Sequence, residues 1–253
     1  MGLFSTPKPT VGKRVVLYGA PGVGKTTLAA QAPAPVVFLD FEKSIGGIYR
    51  AMGLEKVGVL TAGDTLVEII SALRKTDEWE AVQTIVVDSL TGLELRLNDY
   101  ICATKPLTST TRATSIDDYP FGGGASHQVQ VLTSVFLPLL QKMVDLGKNV
   151  ILLAHECVSD IPVAGGKTEA TRWEPAFCQA QKKKMNARGA LVAWADAVSH
   201  YIFAHQSKTR EVNCTESPTS MAKNREGIKE PLLNGVGLWE KLGLNTKQQK
   251  EGV

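Results

Sequence analysis

No stretch of the 253-residue chain approaches the ~20 consecutive apolar residues that a membrane span requires. Met1 to Thr10 holds no apolar run, so neither a signal peptide nor an anchor is expected there. The expected address is cytoplasmic. Cysteine pairs are missing too. Cys102, Cys157, Cys178 and Cys214 form no C-x-x-C, and their spacing fits free thiols in a reducing compartment. The four histidines are scattered; His200 and His205, five apart, do not share a helix face, so no zinc site is expected. A net charge of +3 gives no bulk electrostatic argument for nucleic acid. Internal repeats and composition-marked linkers are absent. Residues 13–242 therefore read as one core, with an N-terminal extension at 1–12 and a polar tail at 243–253.

What is present is an alternation of apolar runs and turn signals, with 43% hydrophobic and 21% charged residues. Arg14 to Tyr18 reads as a strand entering a glycine loop, and a helix is expected from Gly24 to about Gln31, stopped by Pro33 and Pro35. Strands follow at Val36 to Leu39 and Val57 to Leu60. Thr65 with Glu68 forms a capping box ahead of Leu66, Ile69, Ile70 and Leu73 at helical spacing. Thr84 to Val87 and Asn149 to Ala154 are unalternating apolar runs, as parallel strands buried on both faces require. Residues 102 to 127 are expected to form a long loop, followed by a helix from His127 to Leu146 that Pro138 must kink or divide and Gly147 must close. Residues 156 to 189 read as a second long polar segment. Further strands are expected at Ala197 to Ala204 and near Glu211 to Cys214. The fold class is α/β: a mostly parallel sheet with helices on both faces.

The run Gly19-Ala20-Pro21-Gly22-Val23-Gly24-Lys25-Thr26 matches G-x-x-x-x-G-K-[ST] and sits between a strand and a helix, the context that gives the motif meaning. Chance alone produces such a match in a chain this long on the order of once in a hundred. Its glycines let backbone N–H groups turn inward around phosphate oxygens, and the helix start adds a positive dipole end. ATP with Mg2+ is the expected ligand. Ala20, Pro21, Gly22, Val23 and Gly24 would supply the cradle, Lys25 would reach the β and γ phosphates, Thr26 the metal, and Thr27 the α phosphate. Asp88, at the end of Ile85-Val86-Val87-Asp88, is the expected metal-side carboxylate. Glu42 lies past the carboxyl end of its strand, where open α/β sheets bind ligands, and is expected to polarise the attacking water. Asp40, two residues back and on the same strand face, is its rival.

On these residues the chain resembles the RecA superfamily. Phe38-Leu39-Asp40-Phe41-Glu42 is similar to the strand that ends in the catalytic glutamate, and Ile85 to Leu90 to the segment carrying the metal-side aspartate and the serine after it. Val150 to His155 is similar to the next strand, whose last polar residue senses γ phosphate; His155 stands where RecA has glutamine. Met221-Ala222-Lys223-Asn224-Arg225-Glu226-Gly227 resembles the K-x-R segment of hexameric replicative helicases, which implies that Lys223 and Arg225 reach a neighbour's ATP. Taken together, the pattern resembles phage-encoded, single-core RecA-like ATPases that act in single-strand annealing or recombination. The resemblance implies a DNA-stimulated ATPase that self-associates in a ring or filament, with single-stranded DNA and a single-strand-binding protein as partners. Phe4 is a candidate for insertion into a neighbour.

The resemblance also places DNA contacts in the two long polar segments. Lys167, Arg172, Lys182, Lys183, Lys184 and Arg188, with Trp173, lie in the second; Lys105, Arg112, Tyr119 and Phe121 lie in the first. Cations would neutralise backbone phosphate and aromatics would stack on bases without reading sequence. Two other readings share the phosphate loop. One is an ATP-driven switch or loader that acts on a replication protein without touching DNA. The other is a small-molecule kinase, which would need a compact basic lid that the sequence does not show.

Overall fold

The structure, a computed structural model, describes residues 12–52, 57–60, 65–162, 169–178, 186–204 and 208–244. Phe4, Lys167, Lys182, Lys183 and Lys184 lie outside the described residues. Strands form where the apolar runs place them, and two more, Glu169–Pro175 and Leu232–Leu233, form where no apolar pattern signals them. These are β1 (Arg14–Gly19), β2 (Val36–Asp40), β3 (Val57–Leu60), β4 (Thr84–Asp88), β5 (Asn149–Pro162), β6 (Glu169–Pro175), β7 (Ala197–Ala204), β8 (Thr209–Asn213) and β9 (Leu232–Leu233). The sheet runs β3-β2-β4-β5-β1-β7-β8-β9, with β6 paired to β5 alone. From β3 to β7 every pairing is parallel, whereas β8, β9 and β6 join antiparallel. The glycine-loop strand β1 and the Asp88 strand β4 are thus separated by β5. All the loops that follow the parallel strands open at one edge of the sheet, where such folds bind ligands.

Alternation along the strands divides the core in two. Val16 and Tyr18 face one side with Ile85, Val87, Val150 and Leu152. They are covered by α3 (Leu66–Arg74), α4 (Leu90–Thr104), α5 (Gly123–Val131), α6 (Leu137–Asp145) and α7 (Ala187–Trp194). Val15, Leu17, Phe38, Val86 and Leu153 face the other side, against α1 (Lys25–Ala29) and α8 (Leu238–Lys241). The remaining helix, α2 (Ile45–Met52), contacts α1. Both sheet faces are therefore dry, which is why the parallel strands carry continuous apolar runs.

Several elements differ from the sequence expectation. The capping box at Thr65 forms as read: Glu68 N–H donates to Thr65 Oγ1 at 3.3 Å and Thr65 N–H to Glu68 Oε2 at 3.0 Å. The helix after the glycine loop is shorter than expected and ends at Ala29. Residues 102–127 are not one long loop. α4 runs to Thr104, and α5 begins at Gly123 rather than near His127. Between them, Ala113 and Tyr119 are buried and Tyr119 Oη donates to Ile101 O at 3.2 Å, which pins the segment onto α4. Pro138 divides the following helix through a π turn at Leu132–Phe136, which widens the turn ahead of the residue that lacks an N–H. The second polar segment is corrected as well. Much of it is a β5–β6 hairpin, in which the sheet strand continues past Ala154 and pairs residues 156–162 with 169–175.

Candidate nucleotide-binding site

β1 ends at Gly19 and the chain turns through Ala20–Gly24 into α1. Gly22 and Gly24 have φ of 75° and 105°, a region in which a side chain costs about 1–2 kcal/mol. Only glycine turns the loop amides toward a common centre at no cost, so the motif's spacing has a conformational reason. Lys25 is 7% exposed, and its Nζ donates to Gly19 O and Ala20 O, both at 2.9 Å. Burial lowers its pKa, while Asp88, Glu42 and Glu156 oppose the shift. The ammonium is thus already desolvated, held by neutral carbonyls and close to three acids, so an anionic phosphate would be a stronger partner than its present ones.

Thr26 Oγ1 donates to Asp88 Oδ2 at 2.7 Å. The pair joins the first turn of α1 to the end of β4, although 62 residues separate them. Asp88 is 3% exposed, and burial pushes its pKa up to about 6; the Thr26 hydrogen bond works against that shift. A hydroxyl and a carboxylate at this distance are hard oxygen donors of the kind that hold Mg2+ beside phosphate, so the residues fit the ion the fold implies. Among the described residues, no group of three or more His, Cys, Asp or Glu could hold a metal by itself.

The raised Asp88 pKa carries a testable sign. The unfolded carboxyl titrates near 3.9 and the folded one near 6, so the native state binds more protons between these values. Stability therefore falls as pH rises from about 4 to about 6 and stays reduced above that. Asp88→Asn removes the buried charge. The unliganded variant is expected to resist urea better than the parent at pH 7.5, by about 1–3 kcal/mol, with little difference at pH 4. Urea melts of both proteins at the two pH values check this.

Glu42 follows the end of β2. It accepts a hydrogen bond from Ser89 Oγ, and His155 Nε2 lies 3.3 Å from its Oε1. His155 Nδ1 is buried and has no partner. Asp40 has other work: its carboxylate accepts the Ser44 and Ile45 N–H groups at 3.2 and 3.1 Å, fixing the start of α2. Glu42 is thus the carboxylate that meets both Ser89, next to Asp88, and His155, midway along β5. The structure brings Lys25, Thr26, Asp88, Glu42 and His155 to one edge of the sheet.

Behind the sheet lies a buried polar cluster that sequence reasoning missed. Tyr18 stacks on His200 at 4.4 Å and its Oη donates to Met221 O at 2.6 Å. His200 bridges Ser220 Oγ (2.7 Å) and Glu156 Oε2 (2.9 Å). Burial lowers the His200 pKa against the pull of Glu156. Consecutive residues of β5 point to opposite faces, so His155 meets Glu42 while Glu156 meets His200. Only pairing β7 with β1 brings His200 beside Tyr18, and no local spacing signals it.

Two of the expected DNA-facing cations are engaged in ion pairs within the chain. Arg172 donates to Glu174 Oε1 at 2.6 Å and to Glu216 at 2.9 Å; Arg188 pairs with Glu174 Oε2 at 2.9 Å. Their side chains are 18% and 15% exposed around a carboxylate that is 5% exposed. The two guanidiniums share one buried acid. Removing that acid leaves two poorly solvated cations together. Glu174→Gln is expected to cost about 3–5 kcal/mol, read as a lowered urea midpoint. Tyr119 is likewise buried, whereas Arg112 is exposed and Phe121 is 98% exposed.

Lys223 and Arg225 lie away from the phosphate loop of their own chain. Lys223 Nζ donates to the carbonyls of Val192, Ala193 and Ala195 at the end of α7, and burial lowers its pKa. Arg225 reaches Asp196 at 3.3 Å, and Asp196 in turn accepts the Arg14 N–H. They therefore sit at the Arg14 end of β1, roughly 16 Å along the strand from Gly19.

The profile of a family described as an AAA domain matches residues 11–226. No curated protein matches the chain in sequence. A solved crystal structure of the RadB recombinase is similar, with a TM-score of 0.43 and 17% identity, and the similarity covers 78% of each chain. Among the described residues, no helix is long and apolar enough to cross a membrane.

Proposed function

We propose that this chain, which belongs to the AAA domain family of nucleotide-binding ATPases, hydrolyses ATP with Mg2+ and couples the turnover to single-stranded DNA. Residues 13–242 form its ATPase core. The observation that carries the reading is the convergence of Lys25, Thr26 and Asp88 at the mouth of a glycine loop, with Glu42 held nearby by Ser89 and His155. Ala20 to Gly24 cradle the phosphates, Lys25 leaves its two carbonyls for the β and γ oxygens, and Thr27 supports the α phosphate. Thr26 and Asp88 would hold Mg2+, which would supply neutralising charge to the phosphates. Glu42 orients the attacking water and accepts its proton, and His155 at 3.3 Å fixes the carboxylate and follows the γ phosphate. Because Lys223 and Arg225 lie at the far end of β1, their catalytic service is to a neighbouring subunit's nucleotide, in a ring or filament.

DNA contact falls to the exposed groups. Trp173 and Val158 face each other across the β5–β6 hairpin at 40% and 51% exposure, and Arg112 and Phe121 are open to solvent. Steady-state phosphate release with and without a single-stranded oligonucleotide is the test. The reading expects several-fold stimulation at low salt that fades as salt rises, as phosphate contacts do. No stimulation and no retention of the oligonucleotide at low salt would remove DNA from the account and leave the ATPase.

The inward-turned Arg172 and Arg188 favour one other reading: an ATP-driven switch or loader acting on a replication protein. It predicts that reversing the charges of Lys182, Lys183 and Lys184 leaves ATP turnover and partner binding intact.

A further inference from the structure

The side of the phosphate loop away from Asp88 carries an exposed pair that the ATPase reading leaves unused. Thr26 bonds to Asp88 at the end of β4, so the metal and the γ phosphate belong on the β4 side of β1. The sheet order puts β7 and β8 on the opposite side of β1. A nucleotide whose γ phosphate lies toward Asp88 therefore directs its base toward β7 and β8. Tyr18 pairs with His200, which sets Tyr201 level with Gly19 and Phe203 about 7 Å further along, at the height of the loop. Phe203 pairs directly with Arg210 across the β7–β8 ladder. The two-residue period places both on the face of Tyr201 and Val212, which pack in the core on the α1 side. Phe203 is 48% exposed, and Arg210 is exposed beside it. A Cβ added at Gly24 would lie 3.8 Å from the Tyr201 ring and 3.9 Å from Arg210 Nε, so the Arg210 side chain lies against the last glycine of the loop.

We infer that Phe203 and Arg210 form the platform on which the nucleotide's base stacks, so that the base is held by its face rather than by its edges. The inference rests on the ATPase reading and adds the base side of the same site. An aromatic ring and a guanidinium plane side by side both accept a flat heterocycle, the ring by stacking and the guanidinium by stacking and charge. The platform stands on paired strands. β8 is held by β7 on one side and β9 on the other, and Asn234 N–H donates to Arg210 O at 2.7 Å. Groups fixed before the ligand arrives cost less to order on binding. Every base presents a π face, so stacking alone does not separate adenine from guanine.

The test is calorimetric titration of the full chain, with Mg2+, against three ligands: the β,γ-imido analogues of ATP and GTP, and inorganic tripolyphosphate, which has no base. The parent is expected to bind the two analogues within ~10-fold of each other. Phe203→Ala is expected to weaken both at least ~5-fold and Arg210→Ala at least ~3-fold, with tripolyphosphate staying within ~2-fold of parental. Phe203→Leu keeps apolar bulk but removes the π face. It is expected to weaken both analogues at least ~3-fold and serves if Phe203→Ala does not fold. The inference is overturned if a folded Phe203 variant binds the analogues as the parent does, if the variants weaken tripolyphosphate as much as the analogues, or if the parent prefers one base by more than ~10-fold. In each of those cases nucleotide still binds through the loop and the ATPase reading stands. A parent that binds neither analogue nor tripolyphosphate removes the ATPase reading, and the platform with it.

Discussion

Lys25→Ala is expected to weaken ATP binding by roughly 10²- to 10⁴-fold and so to abolish turnover at ordinary nucleotide concentrations. In the structure the Lys25 ammonium is 7% exposed and makes two 2.9 Å hydrogen bonds to carbonyls of its own loop. Much of its desolvation has therefore been met before any phosphate arrives. Exchanging neutral carbonyls for phosphate oxygens converts ordinary hydrogen bonds into charge-assisted ones, each worth about 1.5–3 kcal/mol. Loss of the side chain also leaves Gly19 O and Ala20 O without this donor, and about 1–3 kcal/mol of stability is expected to go with it. Titration with a fluorescent ATP analogue, beside a urea melt, separates the two effects. A folded variant that binds nucleotide as tightly as the parent would contradict the role given to this lysine.

Glu42→Gln is expected to behave differently: nucleotide binding stays close to parental and phosphate release falls by roughly 10²- to 10⁴-fold. Glutamine keeps an oxygen that can accept from Ser89 Oγ and retains the side chain's size, so the site's geometry survives. What is lost is the capacity to take a proton from the attacking water. Asp40→Asn separates the two candidate carboxylates. Asp40 holds the Ser44 and Ile45 N–H groups, so its replacement is expected to loosen the start of α2 and lower stability before it touches chemistry. Rapid-quench measurement of a single turnover reads the chemical step directly. A Glu42→Gln variant that hydrolyses at the parental rate would remove the glutamate from the mechanism.

The features legible in the sequence were those with local causes. The glycine loop was readable because positive φ at Gly22 and Gly24 demands glycine, and the Thr65 box because both partners lie within one turn. Pro138 announced a break in its helix, though not that a π turn would absorb it. Gly122-Gly123-Gly124 falls within the segment expected to be loop. Three glycines read as loop, yet Gly124 starts a helix turn where an added Cβ would lie 2.2 Å from Ile116 O. Close approach, not flexibility, requires that residue.

Features set by distant pairing were not legible. Arg172 and Arg188 read as free cations because nothing local shows that Glu174 is buried between them. The same holds for the Glu42–His155 approach and for His200 beside Tyr18, which depend on strand order. The β5–β6 hairpin hid within a polar segment because its strands pair with each other beyond the core, where burial no longer imposes an apolar run. The Lys223 ammonium, too, caps the end of α7, a contact that no local spacing signals.

A crystal structure with Mg2+, ADP and a γ-phosphate mimic tests the central claim most directly. The account predicts the phosphates inside the Ala20–Gly24 turn, Lys25 Nζ transferred from the Gly19 and Ala20 carbonyls to phosphate oxygens, and the metal beside Thr26 and Asp88. A nucleotide bound elsewhere, or one in the loop with Lys25 still on its carbonyls and Asp88 out of reach of the metal, would contradict it.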